Sequence, residues 1–467
     1  MKMPTDYTQG RAALEKDLRT GESFDVLRRE VRLGDKRVML YFLDGMTKEV
    51  VLQSIVTFWL NKKPDEVAQL PTDARALAER FLPYTETLIS SELAELTRAV
   101  LSGQCVCLVE GLPEAIVCDT RAYPERSVGE PENDKVLTGP HEGFVESLLI
   151  NTALLRRRLR DSRLTLRRVQ VGDDSKTDVV ICSLHGTAND AQVRKITQKL
   201  QGIRTASLTM GQQSLLEQLV PKQRWNPLPK VRYTERPDAA AAALLEGRVL
   251  VMMDNTPTVM IIPTGFWDFT QNTNDYYFAP VVGTYLRWVR LILFALTVFL
   301  PPVWMLAGRY PDVLPEWLRF VILDKELSLP LIAQFLIVEL LIDALRLASL
   351  NTPQSLGNAF AVVGALVLGD AAVQAGWFHA EVVLYMAFVA IANFAQPSFE
   401  LGYAFKLARM LLLVATAVLG VWGFAGALLF ELLVLGFTPT VDGRGYLYPL
   451  VPFNGKALGG LFLGNRV

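Results

Sequence analysis

Seven arginines crowd into one short run, LLRRRLRDSRLTLRR, with Asp161 the single acid among them. Guanidinium forks at this density grip phosphate oxygens. Arg156, Arg157, Arg158 and Arg160 are therefore candidates for contact with phospholipid headgroups or with a neighbouring subunit. The alternative is a solvated helix end. No aromatic residues are interleaved for stacking on bases, so nucleic acid is not expected as a partner.

A second set of ionisable residues lies in strongly apolar text. In LPLIAQFLIVELLIDALRLASL, Glu339, Asp343 and Arg346 fall four and three apart, on one face of a helix. Charges at membrane depth are expensive and must face protein or water. The face is either a polar path or an intrahelical Asp343–Arg346 pair in an interfacial or re-entrant helix. Asp370, with Gln374 one turn later, sits in LGNAFAVVGALVLGDAAVQAGW, whose Gly364 and Gly369 permit close helix packing. Pro397 and Glu400 follow a shorter apolar run and open an amphipathic stretch bearing Lys406 and Arg409. Glu339, Asp343, Asp370 and Gln374 are thus candidates for a polar path, and Gly364, Gly369, Pro397 and Glu400 for packing or gating.

Enzymatic chemistry is not expected. The chain has no GxGxxG after a strand, no Walker-type loop, no GxSxG and no HExxH. Asp44 and Asp254 near strand ends are ordinary turn acids before they are ligands. The three histidines are scattered and the 4 cysteines lack CxxC spacing, so neither a metal nor a cofactor is expected. A formal net charge of -1 gives no bulk attraction to polyanions.

Two contrasting halves must position these groups. The first carries no signal-peptide core and is expected on the cytoplasmic side. Within it, VRLGDKRVMLYFLDGMTKEVVLQSIVTF answers VQVGDDSKTDVVICSLHGTANDAQVRKIT, and AVLSGQCVCLVEGLPEAIVCDTR answers ALLEGRVLVMMDNTPTVMIIPTG. Gly103 matches Gly247, Pro113 matches Pro257, and Thr47 is placed to cap the helix after the first apolar run. The fold class expected is an α+β or α/β region of two duplicated subdomains, 1–145 and 146–280, followed by an all-α polytopic membrane domain, 281–437, and a tail, 438–467.

The second half holds five apolar segments, and four to six helices are expected in the membrane domain. Arg287 and Arg290, with Tyr285 and Trp288, suit an N-inside start, and Pro301-Pro302 is expected to kink or end the first helix. Leu411–Phe437, broken only by Glu431, is longer than a bilayer core and is expected to tilt or emerge. If all five segments cross, the C-terminus lies outside, with the parity open.

The run GPHEGFVESLLINTALLRRRLRDSRLTLRRVQVGDDSKTDVVICSLHGTA resembles the signature of the spore germination A-subunit family, the A component of nutrient germinant receptors. ERSVGEPEND, VELLIDALRLASLNTPQSLG, GALVLGDAAVQAGW, FAQPSFELGYAFKLAR and GYLYPLVPF are similar to the same family, in order, from about residue 30 to 455. VGDDSKTDVVIC, LNTPQSLGNAF and AEVVLYMAF are most similar to its stage V sporulation protein AF branch. The resemblance implies a polytopic protein of the bacterial spore inner membrane, with the N-terminal region facing the spore core. It implies self-association into a ring, a homopentamer, that conducts cations in germination alongside other spore membrane germination proteins. It implies a separate B subunit as the main nutrient sensor, and for the AF branch an assisting role. It carries no catalytic residue. An ion-coupled transporter and a membrane-anchored ligand-sensing protein are the alternatives, the first weakened by the absence of a repeat in the membrane half.

Overall fold

The structure is a computed structural model of the 467-residue chain. It describes all residues except 1, 68–69, 83–85, 124–138, 206–207, 209–210, 221–225, 273–274, 276, 322–328, 352–371 and 456–467. Internal contacts divide the chain into two units, Met1–Lys222 with Val231–Pro263, and Gln223–Lys230 with Thr264–Val467. The sequence had grouped 223–230 and the residues just after 263 with the second subdomain. By contacts they belong with the helical unit.

The first unit contains two five-stranded sheets. One is built from β1 (Val26–Leu33), β2 (Lys36–Leu43), β3 (Thr87–Ser90), β4 (Cys105–Val109) and β5 (Ala115–Cys118), in spatial order β1-β2-β4-β5-β3. Its helices are α1 (Tyr7–Leu18), α2 (Glu49–Leu60), a single turn α3 (Pro64–Val67), α4 (Ala74–Phe81) and α5 (Leu93–Leu101). Strand β2 shows why its text is a near-continuous apolar run. Val38 and Leu40 enter the core beneath α2 and α4, while Met39, Tyr41 and Leu43 enter the one beneath α1 and α5. Both faces are covered, so no polar alternation survives.

The second sheet repeats the plan. Its strands are β6 (Leu164–Val171), β7 (Thr177–Leu184), β8 (Arg232–Thr234), β9 (Val249–Met253) and β10 (Val259–Ile262), in order β6-β7-β9-β10-β8. Helices α6 (Leu148–Arg158), α7 (Asp190–Gln201), α8 (Gln212–Leu219) and α9 (Pro237–Leu245) accompany it. Every strand pairing in both sheets is antiparallel, which makes each subdomain α+β rather than α/β.

The two copies agree down to single hydrogen bonds. After α5, Gly103 N–H donates to Val100 O and Gln104 N–H to Ala99 O. After α9, Gly247 N–H donates to Leu244 O and Arg248 N–H to Ala243 O. This left-handed helix stop puts Gly103 at φ +86 and Gly247 at φ +82. A Cβ there would also come within 2.6 Å of Met46 O or 2.8 Å of Thr187 O, so glycine is required twice over. The cap expected of Thr47 is absent: Lys48 precedes α2 with no side-chain cap, and the Thr47 hydroxyl donates to Gly103 O instead.

In the second unit, α10 (Phe266–Thr270) leads into α11 (Pro280–Arg309), followed by α12 (Leu331–Asn351), α13 (Ala380–Phe394) and α14 (Phe399–Phe437). Among the described residues, α11 and α14 are long and apolar enough to cross a membrane. Pro301 and Pro302 do not end α11, which runs on to Arg309.

The expectation of one overlong helix after Leu411 is corrected. At Gly420 the backbone takes φ 63, ψ -136, a conformation essentially confined to glycine, and α14 folds back on itself. Leu412 of the first arm shares one hydrophobic cluster with Ala427 and Leu428 of the second, and Leu401 shares another with Leu435. The excess length is absorbed by a helical hairpin with arms of ~31 Å and ~25 Å at the usual rise. The stretch 438–448 then returns to the segment before α11: Tyr446 Oη donates to Pro229 O at 2.6 Å, and Phe266 N–H to Tyr446 O at 2.9 Å.

Candidate functional site

Four charged side chains meet where α11, α12 and α14 pack. Glu339 on α12 is 2% exposed, and Arg409 on α14 is 2% exposed. Arg409 Nε donates to Glu339 Oε1 at 2.6 Å. One turn toward the start of α14, the Lys406 ammonium lies 3.4 Å from Glu339 Oε2 and pairs directly with Asp343. It also donates to Glu339 O at 3.3 Å. Two acids spaced i, i+4 on one helix thus face two cations spaced i, i+3 on another, and the quartet is neutral as a whole.

A proline explains the remaining contact. Pro301 has no N–H, so the carbonyl of Thr297, four residues earlier, loses its intrahelical donor. Arg409 Nη1 donates to that carbonyl at 2.8 Å. The guanidinium is therefore held by a carboxylate on one side and an orphaned backbone oxygen on the other. A similar repair occurs at the hairpin. Arg309 Nη1 donates to Ala417 O at 2.9 Å and Thr416 O at 3.2 Å, in the last turn before Gly420.

Arg346 lies against the rings of Tyr403, Phe399 and Phe394, at 5.0, 5.1 and 5.4 Å. Asp343 is engaged across to α14, and Arg346 is held by the aromatic residues flanking the α13–α14 connection. That connection contains Pro397, half-buried, and leads to Glu400, exposed in the first turn of α14. Gln374 is exposed, ahead of α13 in the chain. Gly364, Gly369 and Asp370 lie outside the described residues. The structure therefore joins Glu339 and Asp343 in one cluster and does not bring Gln374, Pro397 or Glu400 into it.

The arginine run divides. Arg156 is 1% exposed, and its guanidinium binds Asp25 twice, at 2.9 and 3.0 Å, with Ser23 Oγ at 3.2 Å and Leu164 O at 3.1 Å. Arg156 is corrected as a lipid or subunit contact, because nothing of it reaches the surface. It joins the second subdomain to the first, where Phe24 N–H also donates to Leu166 O at 3.0 Å. Arg157 and Arg158 pair with Glu142 at 3.2 and 2.9 Å, and Arg157 and Arg160 lie over the Tyr123 ring. Asp254 accepts from Leu148 N–H at 3.2 Å, at the start of α6. All four cysteines are buried, and burial pushes the Cys182 thiol up. Among the described residues, no group of acids, histidines and cysteines could hold a metal.

Sequence reasoning singled out the acids of α12 but not their partners. The legible signal was the complementarity of two dyads, Glu339/Asp343 and Lys406/Arg409, at helical spacing in apolar text. Asp25 and the Thr297 carbonyl had no comparable signal.

Residues 13–465 match the family described as Bacillus/Clostridium GerA spore germination protein. Stage V sporulation protein AF of Bacillus subtilis (strain 168) is 38% identical over 450 residues, covering 94% of this chain and 88% of that protein. Spore germination protein KA of the same organism is 28% identical over 445 residues, covering 94% and 81%. The crystal structure of the N-terminal domain of the A subunit of the Bacillus megaterium spore germinant receptor GerK3 aligns with a TM-score of 0.44 and 23% identity, over 56% of this chain and 96% of that one. With the family match spanning nearly all of its length, this chain belongs to the GerA spore germination protein family.

Proposed function

We propose that this chain is one subunit of a ring, a homopentamer, which spans the spore inner membrane and passes cations during germination. Its relatives supply the setting, since they are named as sporulation and germination proteins. The observation that carries the proposal is the buried, neutral charge quartet on apolar helices. Ionised groups persist at such depth where they serve a polar path or hold its walls together. Here the Lys406 ammonium occupies the place between Glu339 and Asp343 that a permeant cation would take, so the arrangement suits a closed path.

Six crossings fit the proposal: α11, α12, the apolar stretch 356–377 read from sequence, α13 and the two arms of α14. An even count returns the tail to the side from which α11 starts, in keeping with the hydrogen bonds of Tyr446 and Phe266. Exposed Tyr285 and Trp288 near the start of α11, and Tyr310 and Trp422 near its end and the hairpin turn, suit two interfacial belts. The chain brings other germination proteins and phospholipid as partners, and no catalytic step is assigned to it.

Liposomes loaded with potassium test the proposal. Purified protein should release the ion in a dose-dependent manner, and its size in detergent should correspond to several chains. A monomer that exchanges one solute for another, with saturation, would replace the channel with a transporter.

A further inference from the structure

A cavity of about 630 Å³ is lined by α11 and the two arms of α14, together with residues 226–228, Phe266 and Trp267. Its volume is that of a small-molecule site. Its walls are almost wholly apolar, with Phe294, Val298, Phe405 and Leu435 prominent. Two polar groups of the lining are occupied: Asn226 Nδ2 donates to Thr438 Oγ1 at 2.7 Å, and the Trp267 indole N–H to Leu447 O at 3.3 Å.

Glu431 is the exception. It lines the same cavity from the second arm of α14, and its Oε1 is buried with no hydrogen-bond partner among the described residues. Two other buried acids of this unit are satisfied, Glu339 by two cations and Asp275 by Arg290 at 2.7 and 2.9 Å. A buried carboxylate oxygen without a donor costs free energy that neighbouring apolar contacts do not return. The unmet requirement is for one donor, preferably cationic, attached to an apolar body that fills the rest of the space.

We propose that the cavity binds a single-chain amphiphile with an ammonium head, the head paired to Glu431 and the tail lying against Phe294, Val298 and Phe405. One chain suits the volume; a diacyl lipid does not. The site is separate from the charge quartet, so the proposal stands independently of cation passage. Occupancy would wedge the hairpin arms against α11, which makes the cavity a place where an amphiphile could act on the helices that carry Lys406 and Arg409.

The test uses the full chain in phosphatidylcholine nanodiscs with radiolabelled decylamine, empty nanodiscs giving the partitioning background. Saturable binding of one molecule per chain is expected. Glu431→Gln, which keeps size and shape, should weaken it by about tenfold, the worth of one charge-assisted hydrogen bond. Ala295→Phe, which narrows the cavity beside the proposed tail and leaves Glu431 in place, should also weaken it. Decanol, with the same tail and no charge, should compete poorly. Uptake equal to that of empty nanodiscs, or unchanged by Glu431→Gln in protein that elutes and melts as wild type, would overturn the proposal. Displacement by phosphatidylethanolamine added to the nanodisc would overturn the single-chain assignment in favour of a lipid.

Discussion

Two arginines of one run, Arg156 and Arg158, do different work because one is inside and one is not. Arg156 is enclosed with Asp25, and removing one member of such a pair strands the other charge in a low-dielectric setting. Arg156→Ala should cost about 3–5 kcal/mol of stability in the first unit, by chemical denaturation. Arg158→Ala breaks a partly exposed pair with Glu142 and should cost under about 1 kcal/mol. Equal losses would mean that burial does not separate them. Glu110 gives a pH-dependent counterpart: hydrogen bonds from the Arg37 guanidinium hold its carboxyl down to about 2. A depressed acid stabilises the fold fully above its unfolded value, and that contribution fades as pH falls toward 2. Arg37→Gln should therefore make the acid limb of the stability profile shallower. The sequence showed that the arginine run was unusual but not which member was buried, because Asp25 is 131 residues away.

Elements were read more securely than their boundaries. The strand pairs and their glycines were legible because a left-handed helix stop can be met by few residues other than glycine, and the text repeats it at Gly103 and Gly247. Alanine at either position should destabilise by about 1–3 kcal/mol, to a similar extent in the two subdomains. A much smaller loss at one of them would show that the copies do not share this stop. The hairpin of α14 was missed because Gly420 sits among other glycines and small residues in an unbroken apolar run, where nothing local distinguishes a turn from tight packing. With cysteines introduced by Leu412→Cys and Ala427→Cys, oxidation should cross-link the two arms within one chain. Adding Gly420→Ala, which cannot hold φ 63 without strain, should suppress that cross-link. A cross-link that forms equally well with alanine would argue for a turn elsewhere.

At the scale of the molecule, the sequence divided the chain correctly into a mixed α and β half and a helical half, since composition reports burial in protein against burial in an apolar layer. It could not place the tail, whose partners are the Pro229 carbonyl, the Phe266 amide and the Trp267 indole N–H rather than a patterned face. The fragment 1–263 should fold alone, with a cooperative unfolding transition and no detergent requirement; aggregation of that fragment would contradict the two-unit division. The most direct measurement is single-channel recording of purified protein in planar bilayers, comparing Lys406→Met with Glu339→Gln. Lys406→Met removes the ammonium and leaves the acids in excess, so cation passage should rise above wild type. Glu339→Gln leaves the cations in excess, and passage should fall. Changes in the same direction for both variants, or none in protein that still assembles, would contradict the account in which this quartet closes a cation path.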